Sequence, residues 1–143
     1  MNINLKDYYS IIYSEQEFIK NPLTSVILVC YNQGQYLDQA FQSIVNSKTK
    51  FKFEILITDD FSNENSIEIL KILQQQYPSL VKLLTSKENL SKYGSPGSLN
   101  TKKAYLEAKG KYIALCEGDD YWTDPYKLQK QVDYLEANPN CSI

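Results

Sequence analysis

Four apolar runs punctuate the chain, and stretches with helical spacing separate them. The first, SVILVC from Ser25 to Cys30, is continuous and largely β-branched, the pattern of a strand buried on both faces. From Tyr36 onward, Leu37, Ala40, Phe41, Ile44 and Val45 fall on one side of a helix. FEILIT, Phe53 to Thr58, predicts a second strand, and the Asp, Ser and Asn residues of DDFSNENS end it. Ile69, Leu70, Leu73 and Tyr77 predict a second helix stopped by Pro78, and VKLLT, Val81 to Thr85, a third strand. Ser86 to Ser98 is rich in Ser and Gly and reads as loop. Helix returns near Asn100 and is expected to end on Gly110 as its C-cap residue, ahead of a fourth strand, Lys111 to Cys116. A last helix presents Leu128, Val132 and Leu135, with Asp124 as its cap and Pro125 in its first position. Residues 1–22 lack clean periodicity, although Tyr8, Ile11, Ile12 and Phe18 fit one helical stripe. They are expected to form an N-terminal extension to a single domain over residues 23–143.

Strands alternating with helices predict a three-layer, Rossmann-like α/β domain with a mainly parallel sheet, because parallel neighbours require crossover connections. Ligands of such sheets bind beyond the carboxyl ends of the strands. Those ends carry Tyr31 and Asn32, then Asp59 and Asp60, then the polar loop from Ser86, then Asp119 and Asp120.

Composition narrows the chemistry. A length of 143 residues suits one domain that buries about 70% of its unfolded surface. A formal charge of -2 provides no electrostatic footprint for nucleic acid or anionic membrane. There is no histidine, so any metal would be held mainly by oxygen. Cys30, Cys116 and Cys141 are odd in number and widely spaced, which argues against disulfides or zinc and for reduced thiols in the cytoplasm. No signal-peptide pattern opens the sequence, and no apolar run reaches the ~20 residues of a membrane span.

Four carboxylates at one sheet edge repel unless a cation or hydrogen-bond donors lie between them. For Asp59 and Asp60, capping of the next helix explains the pair equally well. For Asp119 and Asp120 a site is favoured, since Gly118 permits an unusual backbone turn and Asp124 already supplies a cap. A hard cation, Mg²⁺ or Mn²⁺, needs only one or two carboxylates when phosphate oxygens complete its shell. The dinucleotide and P-loop glycine patterns are missing after the first strand, where NQGQ has a single glycine. A receiver domain would place its acidic pair after the first strand rather than after the second and fourth.

The ordered blocks SVILVCYNQGQYLDQAFQSI, EILITDDFSNENS and AKGKYIALCEGDDYWTDPYKLQKQ resemble glycosyltransferase family 2, the inverting enzymes with the GT-A fold. The resemblance spans roughly residues 24–138. It implies that Val29, Cys30, Tyr31 and Asn32 lie along the nucleotide, and that Asp60, with Asp59 beside it, accepts a hydrogen bond from a uracil N–H. Asp119 then belongs to the sugar nucleotide and the metal, and Asp120 to the metal. The donor is expected to be a UDP-sugar and the acceptor a hydroxyl of a glycan or lipid-linked chain, in surface polysaccharide synthesis. That places the protein in the cytoplasm, in solution or at the inner face of the membrane.

Two departures qualify the resemblance. The general base of the family lies well beyond the second acidic pair, so it is expected past Ile143, and the chain reads as the donor-binding portion of a longer enzyme with its C-terminal part missing. An exposed sheet edge there would favour self-association. The loop SKENLSKYGSPGSLN is longer than the family's; Asn89 and Asn100 are counterparts of its asparagines, while Lys92, Lys102 or Lys103 is placed to reach phosphate or is simply solvated. Trp122 is expected to pack beneath the acidic loop, with Tyr121 either stacking on sugar or doing the same. Two other functions compete. A sugar-1-phosphate nucleotidyltransferase would carry a basic Gly-rich loop that YNQGQYL lacks, and a non-catalytic nucleotide-binding or interaction module would need no base at all.

Overall fold

The computed structural model describes residues 4–94 and 97–141. Its strands are β1 (Tyr9–Ile12), β2 (Thr24–Cys30), β3 (Phe53–Asp59), β4 (Val81–Ser86) and β5 (Tyr112–Glu117). Its helices are α1 (Gly34–Val45), α2 (Glu64–Gln76), α3 (Ser98–Glu107) and α4 (Lys127–Ala137), with short 3₁₀ turns at Leu5–Tyr8 and Leu90–Tyr93. The five strands form one sheet in the order β1-β4-β3-β2-β5. β2 to β5 are parallel and β1 joins antiparallel at the edge, pairing Tyr9 with Ser86 and Ile12 with Leu83.

The order explains the layers. From β2 through α1 to β3, and through α2 to β4, the chain steps one way across the sheet; α3 then carries it back past β2 to β5. Right-handed crossovers place helices on opposite faces when the stepping direction reverses. Accordingly Val26, Leu28, Ile55, Ile57 and Leu83 pack under Phe41, Leu70 and Leu128 of α1, α2 and α4. The alternate residues Ile27, Val29, Leu56 and Leu84 pack under Ala104 of α3, with Leu5 and Tyr9. The layers are unequal. α3 leaves Ile113 and Leu115 of β5 exposed on its side of the sheet.

Four local expectations need correction. The supposed helical stripe in residues 1–22 is a 3₁₀ turn followed by β1, so the segment read as an extension supplies an edge strand of the sheet. Unpaired backbone on β4 is what it satisfies. Gly110 caps no helix, because α3 ends at Glu107 with Ala108 extended beyond it. A Cβ on Gly110 would stand 2.5 Å from Ser25 N and 2.6 Å from the Thr24 carbonyl carbon, so the residue is glycine for close approach to β2. Gly118 adopts no left-handed backbone either; its Cβ would meet Gln33 Oε1 at 2.5 Å and Val29 O at 3.1 Å. Finally, Asp124 Oδ1 accepts from Tyr126 N at 2.8 Å and so holds the turn through Pro125 that precedes α4, rather than capping the helix itself.

The glycine at 110 gives a direct check on this packing. Gly110→Ala is expected to lower stability by ~2 kcal/mol, since the neighbour that must yield is backbone. Gly94→Ala, where the nearest atom lies at 3.5 Å, should change the urea midpoint little. Equal midpoints for the two variants would contradict the close-approach account.

Candidate functional site

Reversal of strand order opens a crevice at the carboxyl ends of β2 and β5, the place where ligands bind in open α/β sheets. A cleft of about 450 Å³ lies there. Val29, Cys30 and Tyr31 form its β2 wall, Glu117 its β5 wall, and Asp60 and Asn89 stand across from them. Ser98 and Thr101 bring the first turn of α3 to its side, after Gly97, whose left-handed φ of 77° starts the helix.

The Asp59–Asp60 pair is built into the protein. Both residues are buried, and their charge is met by Lys103, which is fully buried beneath them. Lys103 Nζ donates to Asp59 O at 2.7 Å and to Ser86 Oγ at 2.5 Å. Burial pulls Lys103 down from its ordinary value to about 8, while Asp60 and then Asp59 pull it up. Asp59 is held above the usual carboxylate range by burial, against hydrogen bonds from Ser62 and the charge of Lys103. The expectation that Lys103 reaches a phosphate is therefore overturned: it is a counter-ion under the wall.

The two carboxylates have separate tasks. Asp59 Oδ2 accepts from Ser62 N at 3.1 Å, turning the chain after β3, and its side chain does not line the cleft. Phe61, within that turn, takes a φ of 65°, a strained conformation for an aromatic residue. Asp60 faces the cleft while its Oδ1 accepts from Leu90 N at 2.9 Å and Ser86 Oγ at 3.3 Å. It thereby pins the long loop after β4. Asn89 completes the link by donating from Nδ2 to Asp60 O at 3.3 Å, and its Oδ1 accepts from Ser91 N and the Ser91 hydroxyl.

Two asparagines fix the rest of the floor. Asn32, at a φ of 51°, accepts from Asn63 N at 2.7 Å while its own N–H donates to Ser62 Oγ at 2.9 Å. It latches the loops after β2 and β3 together and stands outside the cleft lining. Asn63 in turn caps α2 by accepting from Ser66 N, so the helix cap at this end is Asn63 and not an aspartate. Asn100 is buried, donating to Cys30 O and Thr58 O at 3.2 Å and accepting from Thr58 Oγ1 at 2.7 Å. The strand ends are held in register by one side-chain amide.

Asp119 and Asp120 are exposed on the turn after β5, which is closed by Asp120 N donating to Glu117 O at 3.0 Å and Gly118 N to Val29 O at 2.8 Å. The convergence of all four carboxylates around one cation is not formed: no group of three His, Cys, Asp or Glu residues able to hold a metal occurs among the described residues. The donor set on this turn nonetheless suits a hard cation. Neither carboxylate is ion-paired to a lysine among the described residues, and lost hydration of its carboxyl, then the charges of Asp119 and Asp120, hold Glu117 above its usual range. Glu117 and Gln33 line the cleft and are absent from the residues singled out above; adjacency to the GDD sequence and to Gly34 was their only signal. Burial holds the Cys30 thiol well up and pushes Cys116 up to about 11, which leaves both protonated and unreactive at neutral pH. Trp122 packs against the core with Lys127 Nζ 4.4 Å from its ring, beneath an exposed Tyr121.

The model of Glycosyl transferase family 2 matches residues 25–143. The chain belongs to that family. An uncharacterized protein of Mycobacterium tuberculosis is 36% identical over 119 residues, covering 83% of this chain and 33% of its own. An uncharacterized glycosyltransferase of Methanocaldococcus jannaschii is 34% identical over 123 residues, covering 85% and 40%. The chain thus spans about a third of the length of the curated relatives it matches. Among solved structures, S. aureus TarS in complex with UDP-GlcNAc superposes with a TM-score of 0.66 at 22% identity, over 81% of this chain and 32% of TarS. Mannosyltransferase PcManGT of Pyrobaculum calidifontis, in complex with GDP-Man and Mn²⁺, superposes at 0.68 and 18% identity, over 81% and 33%. The fold is GT-A.

Lys103 offers the test of how the wall is held. Lys103→Met should lower stability by ~3 kcal/mol or more, because it strands two buried carboxylates. Lys102→Met, on the exposed face of the same helix, should stay within about 0.5 kcal/mol in the same urea titration. A Lys103 variant as stable as its neighbour would exclude the counter-ion role.

Proposed function

We propose that this chain binds the donor of a glycosyltransferase, a nucleotide-diphosphate sugar, with a UDP-sugar favoured and a divalent cation required. The observation that carries the reading is Asp60: a buried carboxylate, fixed by Leu90 N–H and Ser86 hydroxyl, yet facing a cleft at the switch point of the sheet. A fixed acceptor suits an imide N–H, which uracil offers and cytosine lacks at that position. Val29, Cys30 and Tyr31 supply the opposite wall along the base, and Asn89 keeps the loop carrying it against Asp60. TarS in complex with UDP-GlcNAc and PcManGT in complex with GDP-Man and Mn²⁺ support a donor of this class.

Asp120, with Asp119 beside it, would hold Mn²⁺ or Mg²⁺ against the donor diphosphate. A cation there supplies Lewis acidity toward the charge that grows on the leaving diphosphate. The chain's own contribution is positional. The Gly118 N–H bond to Val29 O fixes the acidic turn to the same strand end that forms the base wall, so sugar and base sites share one rigid frame. Transfer with inversion to an acceptor hydroxyl, and a role in polysaccharide synthesis, belong to the proposal for the whole protein.

Calorimetry with UDP, with and without Mn²⁺, tests this reading. Binding is expected to strengthen with Mn²⁺, and Asp120→Ala should abolish that gain. Asp60→Asn, which keeps an acceptor for Leu90 N–H, should weaken UDP by about tenfold or more and leave the metal dependence in place. Absence of UDP binding under both conditions would sink the proposal and favour a non-catalytic interaction module.

A further inference from the structure

The strand order that opens the cleft also leaves β5 at the edge of the sheet, with β2 as its one neighbour among the described residues. Tyr112 N donates to Leu23 O and Gly118 N to Val29 O, so Tyr112, Ala114, Cys116 and Gly118 turn their backbone groups toward β2. Ile113, Leu115 and Glu117 turn theirs outward. Among the described residues, no group bonds the amide or carbonyl of Ile113 or Leu115 from that side. The devices that usually blunt an edge are missing: β5 holds no proline and pairs residue for residue with β2 along its whole length, without a bulge.

The outward residues also share a face. Lys111, Ile113, Leu115 and Glu117 alternate with more buried neighbours and are all exposed, Ile113 at 42% and Leu115 at 51%. Theirs is the side on which Ala104 of α3 packs over β2, β3 and β4. Read along the chain, this stripe runs cation, apolar, apolar, anion. Reversed, it is complementary to itself.

Backbone geometry restricts how two such edges can meet. Outward groups must face outward groups, so Lys111, Ile113, Leu115 and Glu117 of one chain can stand only opposite members of the same set in another. In an antiparallel pair centred on Ala114, Ile113 stands opposite Leu115 and Lys111 opposite Glu117. Centring it on Ile113 sets Lys111 against Leu115, and centring it on Leu115 sets Ile113 against Glu117. The first register alone matches apolar with apolar and charge with opposite charge, the pairings that stabilise neighbouring strands.

We propose that β5 is a homodimer interface, pairing antiparallel with β5 of a second copy about a two-fold axis at Ala114. Ile113 and Leu115 exchange backbone hydrogen bonds across the axis, and the two sheets become one. Two-fold symmetry closes the assembly at two copies. Lys111 Nζ already meets exposed Glu136 of its own chain at 2.8 Å, and its remaining donors suit Glu117 of the second copy. Because Glu117 lines the donor cleft, this pairing also sets Lys111 of each copy beside the cleft of the other. The interface does not depend on what the cleft binds.

Sedimentation velocity of the intact chain, from low to high micromolar, reads the assembly directly. A concentration-dependent shift that saturates at twice the monomer mass is expected. Leu115→Lys, at an exposed position, should remove it. Lys111→Glu and Glu117→Lys each set like charges opposite one another on both sides of the axis, and each should weaken association by about tenfold. Combining the two reversals restores both pairs and should return association to within about threefold of the unaltered chain, which a folding defect cannot imitate. A monomer at every concentration overturns the proposal, including where hydrogen exchange finds the Ile113 and Leu115 amides protected, which assigns the edge to another segment. Species that grow past two copies overturn it equally, as do association indifferent to Leu115→Lys or to the single reversals, and a double reversal that stays weak.

Discussion

Everything on the Asp60 side of the cleft depends on one buried cation. Lys103 brings a positive charge from α3 under two consecutive carboxylates at the end of β3, Asp59 and Asp60, and its hydrogen bonds to Asp59 O and Ser86 Oγ join the ends of β3 and β4. Without it the wall would carry adjacent like charges in a low-dielectric setting, where repulsion is poorly screened. With it, Asp60 can be both rigid and available to a ligand. Asp60 then orders the loop after β4 through Leu90, and Asn89 returns the favour to the Asp60 carbonyl. Charge compensation, turn geometry and loop placement are thus one network.

Strand order does the rest of the positioning. Because the crossover direction reverses at β2, the two hydrophobic clusters lie on opposite faces of the sheet and the strand ends between β2 and β5 are left open. Gly118 lets the acidic turn approach Val29 and Gln33 closely, and Gly110 lets the approach to β5 lie flat on the start of β2. The two glycines flank β5, one before it and one after it, and neither has a left-handed backbone; both serve packing.

Much of this was legible in the residues. Continuous β-branched runs identified β2, β3 and β4, and the switch from strand to helix period located α1 and α2 closely, because local periodicity is what one sequence records. The three ordered blocks, together with DD after β3 and GDD after β5, indicated the family and the strand ends that form the cleft. What escaped depends on tertiary placement. Ile11 and Ile12 fit a helical stripe in the sequence, and only the unpaired edge of β4 makes them strand. Lys103 looks like any surface lysine, since nothing local reveals that α3 turns it inward. Asn32 was read only through the nucleotide, and its bonds to Asn63 and Ser62, which make it a brace between two loops, have no local signal. Gly110 and Gly118 were read through backbone freedom, when the cause is the atom facing each absent side chain.

The reversal at β2 has a thermodynamic corollary. A ligand seated between β2 and β5 touches Cys30, whose side chain belongs to the cluster under α1 and α2, and Val29, whose side chain belongs to the cluster under α3. Two half-cores separated by a single sheet would then share a non-covalent fastener. Occupancy would be felt as resistance to unfolding on both faces at once, in proportion to the logarithm of free ligand over its dissociation constant.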